Sequence, residues 1–256
     1  MKLKHAVLLA SLAVSTGALA QAAAPAAAAA PEPDYTLSYN VGVISEYRYR
    51  GISQTRFKPA LQGGADFAHK SGFYLGTWAS TIKWIRDAGA TKGSVELDLY
   101  GGFKGEIAKD VAFDVGYLRY QYVSNTLRNV PGFANANTDE IYGAVTFGPA
   151  TLKYSHSLSN LFGFVDSKNS GYLDLTGTFD LGNGWSVAPH IGHQRVAHTS
   201  SASYTDYAVT VAKDFGNGFS ASAAVVGTDA NKSVYFAPNG KFTGKSTLVV
   251  GAKYSF

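Results

Sequence analysis

The chain has 256 residues, no cysteine, 28 glycines, and 15 Phe, 16 Tyr and 3 Trp, with only 16% charged residues. The missing thiols exclude a disulfide scaffold, a thiolate metal site, an iron–sulfur cluster and a cysteine nucleophile. A hydrophobic fraction of 46% excludes a disordered chain, and the 22 basic residues fall to 20 against 18 acidic once Lys2 and Lys4 are set aside with a leader, too even for nucleic acid.

Residues 1–20 carry Lys2 and Lys4, then an apolar run from Ala6 to Val14, then Ala18-Leu19-Ala20 before Gln21. That order predicts a secretory signal peptide, with an apolar core too short to serve as a mature membrane helix. Residues 21–34 place Pro25, Pro31 and Pro33 among alanines and read as a leader outside any core. An exported chain is expected, and no later stretch reaches the 18 consecutive apolar residues of a transmembrane helix.

From Tyr35 onward the apolar residues recur at every second position. Leu37, Tyr39, Val41 and Val43 alternate with Ser38, Asn40 and Gly42, and the pattern repeats through Leu248, Val250, Ala252, Tyr254 and Phe256. About twelve segments are predicted as strands, near 35–46, 59–69, 73–81, 94–103, 111–122, 138–147, 150–160, 171–180, 185–195, 205–215, 218–228 and 246–256. Each has the length of a tilted strand crossing a bilayer.

The connections alternate between tight and long. Tight ones hold turn chemistry, as in Leu181-Gly182-Asn183-Gly184 and Gly216-Asn217-Gly218, while longer ones fall near 47–58, 82–93, 123–137, 161–170, 196–204 and 229–245. Aromatics flank the tight turns: Phe67 and Phe73, Phe103 and Phe113, Phe179 and Trp185, Phe215 and Phe219, with Phe147 and Phe256 at the same level. A second aromatic group, Tyr47, Tyr49, Trp78, Trp84, Tyr120 and Tyr122, lies toward the other strand ends. These signals predict an all-β, transmembrane, antiparallel up-and-down β-barrel over residues 35–256, with short periplasmic turns, longer outer loops and aromatic girdles at the interfaces.

A barrel of that size leaves a narrow lumen or a filled one. The faces read as inward carry Asp66, Glu96, Asp98, Asp114, Glu140, Asp174, Lys153 and Lys253 beside small residues such as Gly42, Gly64, Ala144 and Ala208. Water in a lumen solvates such charges, so a channel for small hydrophilic solutes or ions is expected. Its expected pore-lining residues are Arg48, Arg50, Glu96, Asp98, Asp114, Arg119, Glu140 and Asp174, with the three arginines facing Glu96 and Asp98. Arg119 has outward parity close to the outer interface, where it either snorkels into headgroups or marks a bulge that switches its face. Two alternatives stand beside the channel: a closed barrel with a structural or surface-interaction role, and a lipid hydrolase. The hydrolase rests on Tyr154-Ser155-His156-Ser157-Leu158-Ser159-Asn160, where strand alternation sets His156 on the face opposite Ser155 and Ser157. His190 and His193, three apart on a strand, also point to opposite faces, and the sequence holds no Walker loop, zinc-protease motif or dinucleotide fingerprint, so neither a metal nor a cofactor is expected.

The run Glu46-Tyr47-Arg48-Tyr49-Arg50-Gly51-Ile52-Ser53-Gln54-Thr55, followed by Gly72-Phe73-Tyr74-Leu75-Gly76-Thr77-Trp78-Ala79-Ser80, by Glu96-Leu97-Asp98-Leu99-Tyr100-Gly101-Gly102 and by Asp114-Val115-Gly116-Tyr117, resembles the TorF-type porins of Gram-negative bacteria. Glu46, Arg56 and Lys58 depart from that pattern, which has Asp and a more acidic first loop. The resemblance implies an outer-membrane location and a channel role for a poorly defined substrate; membrane lipids and small solutes are the expected partners. The ending Tyr254-Ser255-Phe256 resembles the signal read by the outer-membrane barrel assembly machinery.

Overall fold

A computed structural model describes residues 33–256; the expected signal peptide and most of the leader lie outside these residues. The strands are β1 (Tyr35–Ile44), β2 (Arg48–Tyr49), β3 (Ile52–Ser53), β4 (Ala60–His69), β5 (Phe73–Thr81), β6 (Val95–Ala108), β7 (Val111–Tyr122), β8 (Thr138–Phe147), β9 (Ala150–Ser157), β10 (Gly171–Gly177), β11 (Phe179–Gly182), β12 (Trp185–Arg195), β13 (Tyr204–Gly216), β14 (Phe219–Thr228) and β15 (Thr247–Ser255). A short α-helix, α1 (Trp84–Asp87), sits in the second long loop.

All wall strands pair antiparallel with their sequence neighbours, and β1 closes the ring on β15, with Asn40 opposite Ser255 and Ile44 opposite Gly251. Because β10 and β11 occupy one wall position, the result is the expected closed barrel of twelve strands. The interruption has a local cause. The register flanking it sets Gly177 opposite Pro189 of β12, which has no N–H for the ladder. The hairpin β2–β3 belongs to the first long loop and lies apart from the wall.

Alternation sorts the wall into two faces. Leu61, Leu75, Val115, Val145, Leu175, Val209, Val225 and Val250 all face outward and are exposed. An apolar exterior on a closed barrel is stable against hydrocarbon and unstable against water. Phe73, Phe103, Phe147, Phe179, Trp185, Phe215, Phe219 and Phe256 form an exposed ring at the end with the tight turns. Those turns are two-residue connections in Asn183-Gly184 and Asn217-Gly218, where all four residues take positive φ. Gly218 is also pressed on the chain end, since a Cβ there would lie 2.1 Å from the Ser255 carbonyl oxygen.

The other aromatic group does not form a second girdle, contrary to the sequence expectation. Trp78, Tyr120 and Tyr122 have inward parity, Tyr47 and Tyr49 sit on a loop folded into the barrel, and Trp84 lies on α1. Together with the fully buried Ile85 and Leu127 they build a hydrophobic core inside the loop end of the barrel.

Candidate functional site

The inward faces are polar and divide into two regions. Toward the tight turns, hydroxyls and carboxylates pair across strands. Tyr74 donates to Asp114 at 2.6 Å and shares a hydrogen bond with Tyr142, and Tyr100 donates to Asp66 at 2.5 Å. Lys153 lies 4.0 Å over the Tyr142 ring and Lys104 lies 5.3 Å over Tyr74. Across the lumen, next to β1, β13, β14 and β15, small residues leave a hollow whose lining includes Asn40, Gly42, Gln62, Trp78, Ser222 and Lys253.

The first long loop fills the lumen at the other end. Its β2–β3 hairpin turns through Arg50 (φ 44°) and Gly51 (φ 77°), so the tip needs two left-handed residues in succession. A left-handed arginine is unfavourable, and the surroundings hold it in place. A Cβ on Gly51 would stand 2.7 Å from both Asp206 Cβ and Thr228 Cγ2, so the tip touches the far wall on β13 and β14. At the hairpin base the Tyr47 hydroxyl donates to Glu96 on β6, and the Ser53 amide donates to the Thr243 carbonyl at 3.0 Å. Burial, reinforced by Glu96 and Asp98, holds the Tyr47 phenol protonated well above its ordinary range.

Arg50 makes the central contact. Its Nη1 and Nη2 donate to the two oxygens of Glu140 at 3.1 and 2.8 Å, and Nη1 also donates to Gln194 Oε1 at 2.7 Å. The guanidinium carbon lies 4.2 Å from the Tyr172 ring centre, 4.8 Å from Tyr49 and 5.9 Å from Phe162. Burial alone opposes its charge, and the Glu140 carboxylate overrides that, holding it firmly protonated. Glu140 and Gln194 are each 2% exposed, so the pair is sealed from water.

The expected site residues fall out as follows. Glu96, Asp98, Asp114, Glu140 and Asp174 stand on inward faces. Arg48 and Arg50 also lie inside, yet neither faces Glu96 or Asp98: Arg48 pairs with Glu46 at 3.1 Å and donates to the Gly51 carbonyl, and Arg50 takes Glu140. The expectation for Arg119 is corrected. It keeps outward parity, directly opposite Asp139 on β8 and 2.9 Å from its carboxylate, because the register shift in the β6–β7 pair lies at the far end, between Glu106 and Ala108. His190 points inward, 2.7 Å from Asp174, whereas His193 points outward to Thr205. His156 faces outward toward Asn169, while Ser155 and Ser157 are buried on the inner face.

Tyr172, Gln194, Phe162, Asp206 and Gly51 were not singled out by sequence reasoning. They come from β10, β12, the loop after β9, β13 and the first loop, and meet only in the closed ring. Inward parity was the available signal for the wall residues; none marked Phe162. Among the described residues no cluster of His, Asp and Glu is arranged to hold a metal.

Comparison with solved structures returns outer-membrane barrels. The chain is similar to the KdgM porin in complex with disordered oligogalacturonate, with a TM-score of 0.55 and 8% identity over 86% of this chain and 98% of that one. It is similar to an outer-membrane channel from Pseudomonas putida F1 (0.51, 12%, 88% and 96%) and to the NanC porin (0.51, 10%, 86% and 99%). At such identities the likeness concerns the fold. A search of curated proteins finds no match. A family model described as "Bacterial protein of unknown function (Gcw_chp)" matches residues 27–256, and the chain belongs to that family.

Proposed function

We propose that the protein is an outer-membrane channel for small hydrophilic solutes or ions, closed at its outer end by its first loop. The observation that carries this reading is the division of the wall, apolar outside and charged inside, in a closed ring. Hydrocarbon against the exterior and water within the interior are the surroundings in which such a wall is stable. The tight turns then face the periplasm and the long loops the exterior. Export through residues 1–20, insertion among membrane lipids and assembly through Phe256 complete the reading. The resemblance to TorF-type porins and the fold likeness to the porins above support it.

The inward carboxylates Asp66, Asp114, Asp174, Asp206 and Asp214 outnumber Lys104, Lys153 and Lys253, an excess that favours cations. The plug of residues 45–58 is held at discrete points, Tyr47 on Glu96 and Arg50 on Glu140, so opening requires those ties to part. The test is single-channel recording of the refolded mature protein in planar bilayers, beside Arg50→Ala. The expected result is a wild-type trace dwelling in a closed level with brief openings, and a variant that conducts steadily with cation preference.

The hydrophobic core inside the loop end specifically favours a second reading, a closed barrel whose loops serve a surface contact. Electrical silence of both proteins, each giving a heat-shifted band on gels, selects it over the channel.

A further inference from the structure

We propose that the pocket holding Arg50 is a binding site for small guanidinium-bearing cations, and that Arg50 occupies it as a tethered stand-in for such a ligand. The inference deepens the channel reading and rests on the plug leaving the lumen. The acceptors belong to the wall: Glu140 on β8 and Gln194 on β12, from strands other than those flanking the plug. They are also set in place without Arg50. Gln194 donates its amide nitrogen to the carbonyls of Gly171 and Arg195, both at 3.1 Å, which aims its oxygen at the guanidinium. Glu140 accepts from Tyr120 at 3.3 Å, and the Tyr172 ring is held by its hydroxyl donating to Asp206 at 2.9 Å.

When the plug withdraws, Arg50 and Tyr49 leave together, and what remains is a carboxylate fork, a fixed amide oxygen and the Tyr172 face. That set matches a planar cation with parallel N–H donors, since bidentate pairing and stacking both require the plane. A compact ammonium satisfies neither. Withdrawal takes the guanidinium away from Glu140 and Gln194, so a solute that fills the place stabilises the open plug by mass action. Such a solute acts as passenger and opener at once.

The test uses Arg50→Ala, refolded in detergent and titrated with methylguanidinium chloride, with methylammonium chloride as the counterpart. Thermal midpoint and calorimetry report binding, and planar bilayers report block of current. Expected are saturable methylguanidinium binding at about millimolar concentration, weakened about tenfold or more when Glu140→Gln is added, and no saturation with methylammonium. Equal response to both cations, or binding unchanged by Glu140→Gln, overturns the assignment. A variant that conducts without binding removes the site and leaves the channel. A variant that binds and stays silent keeps the site and removes the channel. If Arg50→Ala gives no heat-shifted band, methylguanidinium present during refolding should restore it, and failure to do so, with Arg50→Gln also unresponsive in titration, overturns the proposal.

Discussion

The Tyr47 hydroxyl meets the Glu96 carboxylate at 2.6 Å, joining the first loop to β6 across 49 positions of sequence. Both groups are buried, so the bond is worth more to the closed plug than an exposed one, and its loss leaves Glu96 short of a donor. Tyr47→Phe should lower the stability of the plugged state by about 1–3 kcal/mol. The fraction of time spent in the open level of single-channel records, about 5-fold or more above wild type, checks this.

Gly51→Ala should open the plug more strongly. The residue stands at φ 77°, and the added methyl meets Asp206 and Thr228 on the far wall. Left-handed strain and the clash both fall on the inserted state, while the withdrawn loop is free of the clash. Recordings should show loss of the long closed level with the heat-shifted band intact. An unchanged closed level means that the hairpin tip is not seated as the contacts require.

Asp66→Asn combined with Asp114→Asn should reduce cation preference. These carboxylates lie toward the tight turns, outside the plugged core, with Tyr100 and Tyr74 as partners. Neutralising them leaves Lys104 and Lys153 less opposed, so the reversal potential in a salt gradient should move toward zero or change sign. An unaltered potential removes both residues from the conducting path.

Val209→Arg should destabilise the barrel in lipid by about 2–4 kcal/mol, as charge at mid-depth on a lipid face does. Val209 is an exposed outward residue near the middle of β13, and Thr210 beside it points inward. Thr210→Arg should cost much less and lower the conductance. Urea unfolding in vesicles separates the two, and equal costs contradict the assignment of faces.

How much of this was legible in the sequence follows from the range of the interactions. Alternation is local, so the outward row Leu37, Val41, Leu248 and Val250 and the inward row Glu96 and Asp98 were readable directly. The ring of Phe beside the turns was readable for the same reason. Tyr120 and Tyr122 were misplaced because aromatic residues at strand ends suit both an interface belt and a lumen core, and only the fold of the first loop decides between them. Arg50 and Glu140 were both named, yet their pairing spans 90 positions and depends on where a hairpin tip lands. Pro189 inside a strand pattern was the local mark of the β10–β11 interruption, and alternation alone passes over it.

The hollow beside β1, β14 and β15 lies against the seam where the first and last strands meet. That part of the lumen is therefore bounded by chain segments about two hundred positions apart, as in the Val250 amide donating to the Ser45 hydroxyl. Folding and permeability are thereby tied in time. A partly assembled ring with β15 unzipped from β1 has every charged wall residue in place and still encloses no path. Flux across a vesicle during refolding should then arise in a single late phase, together with the final pairing and not in proportion to strand content.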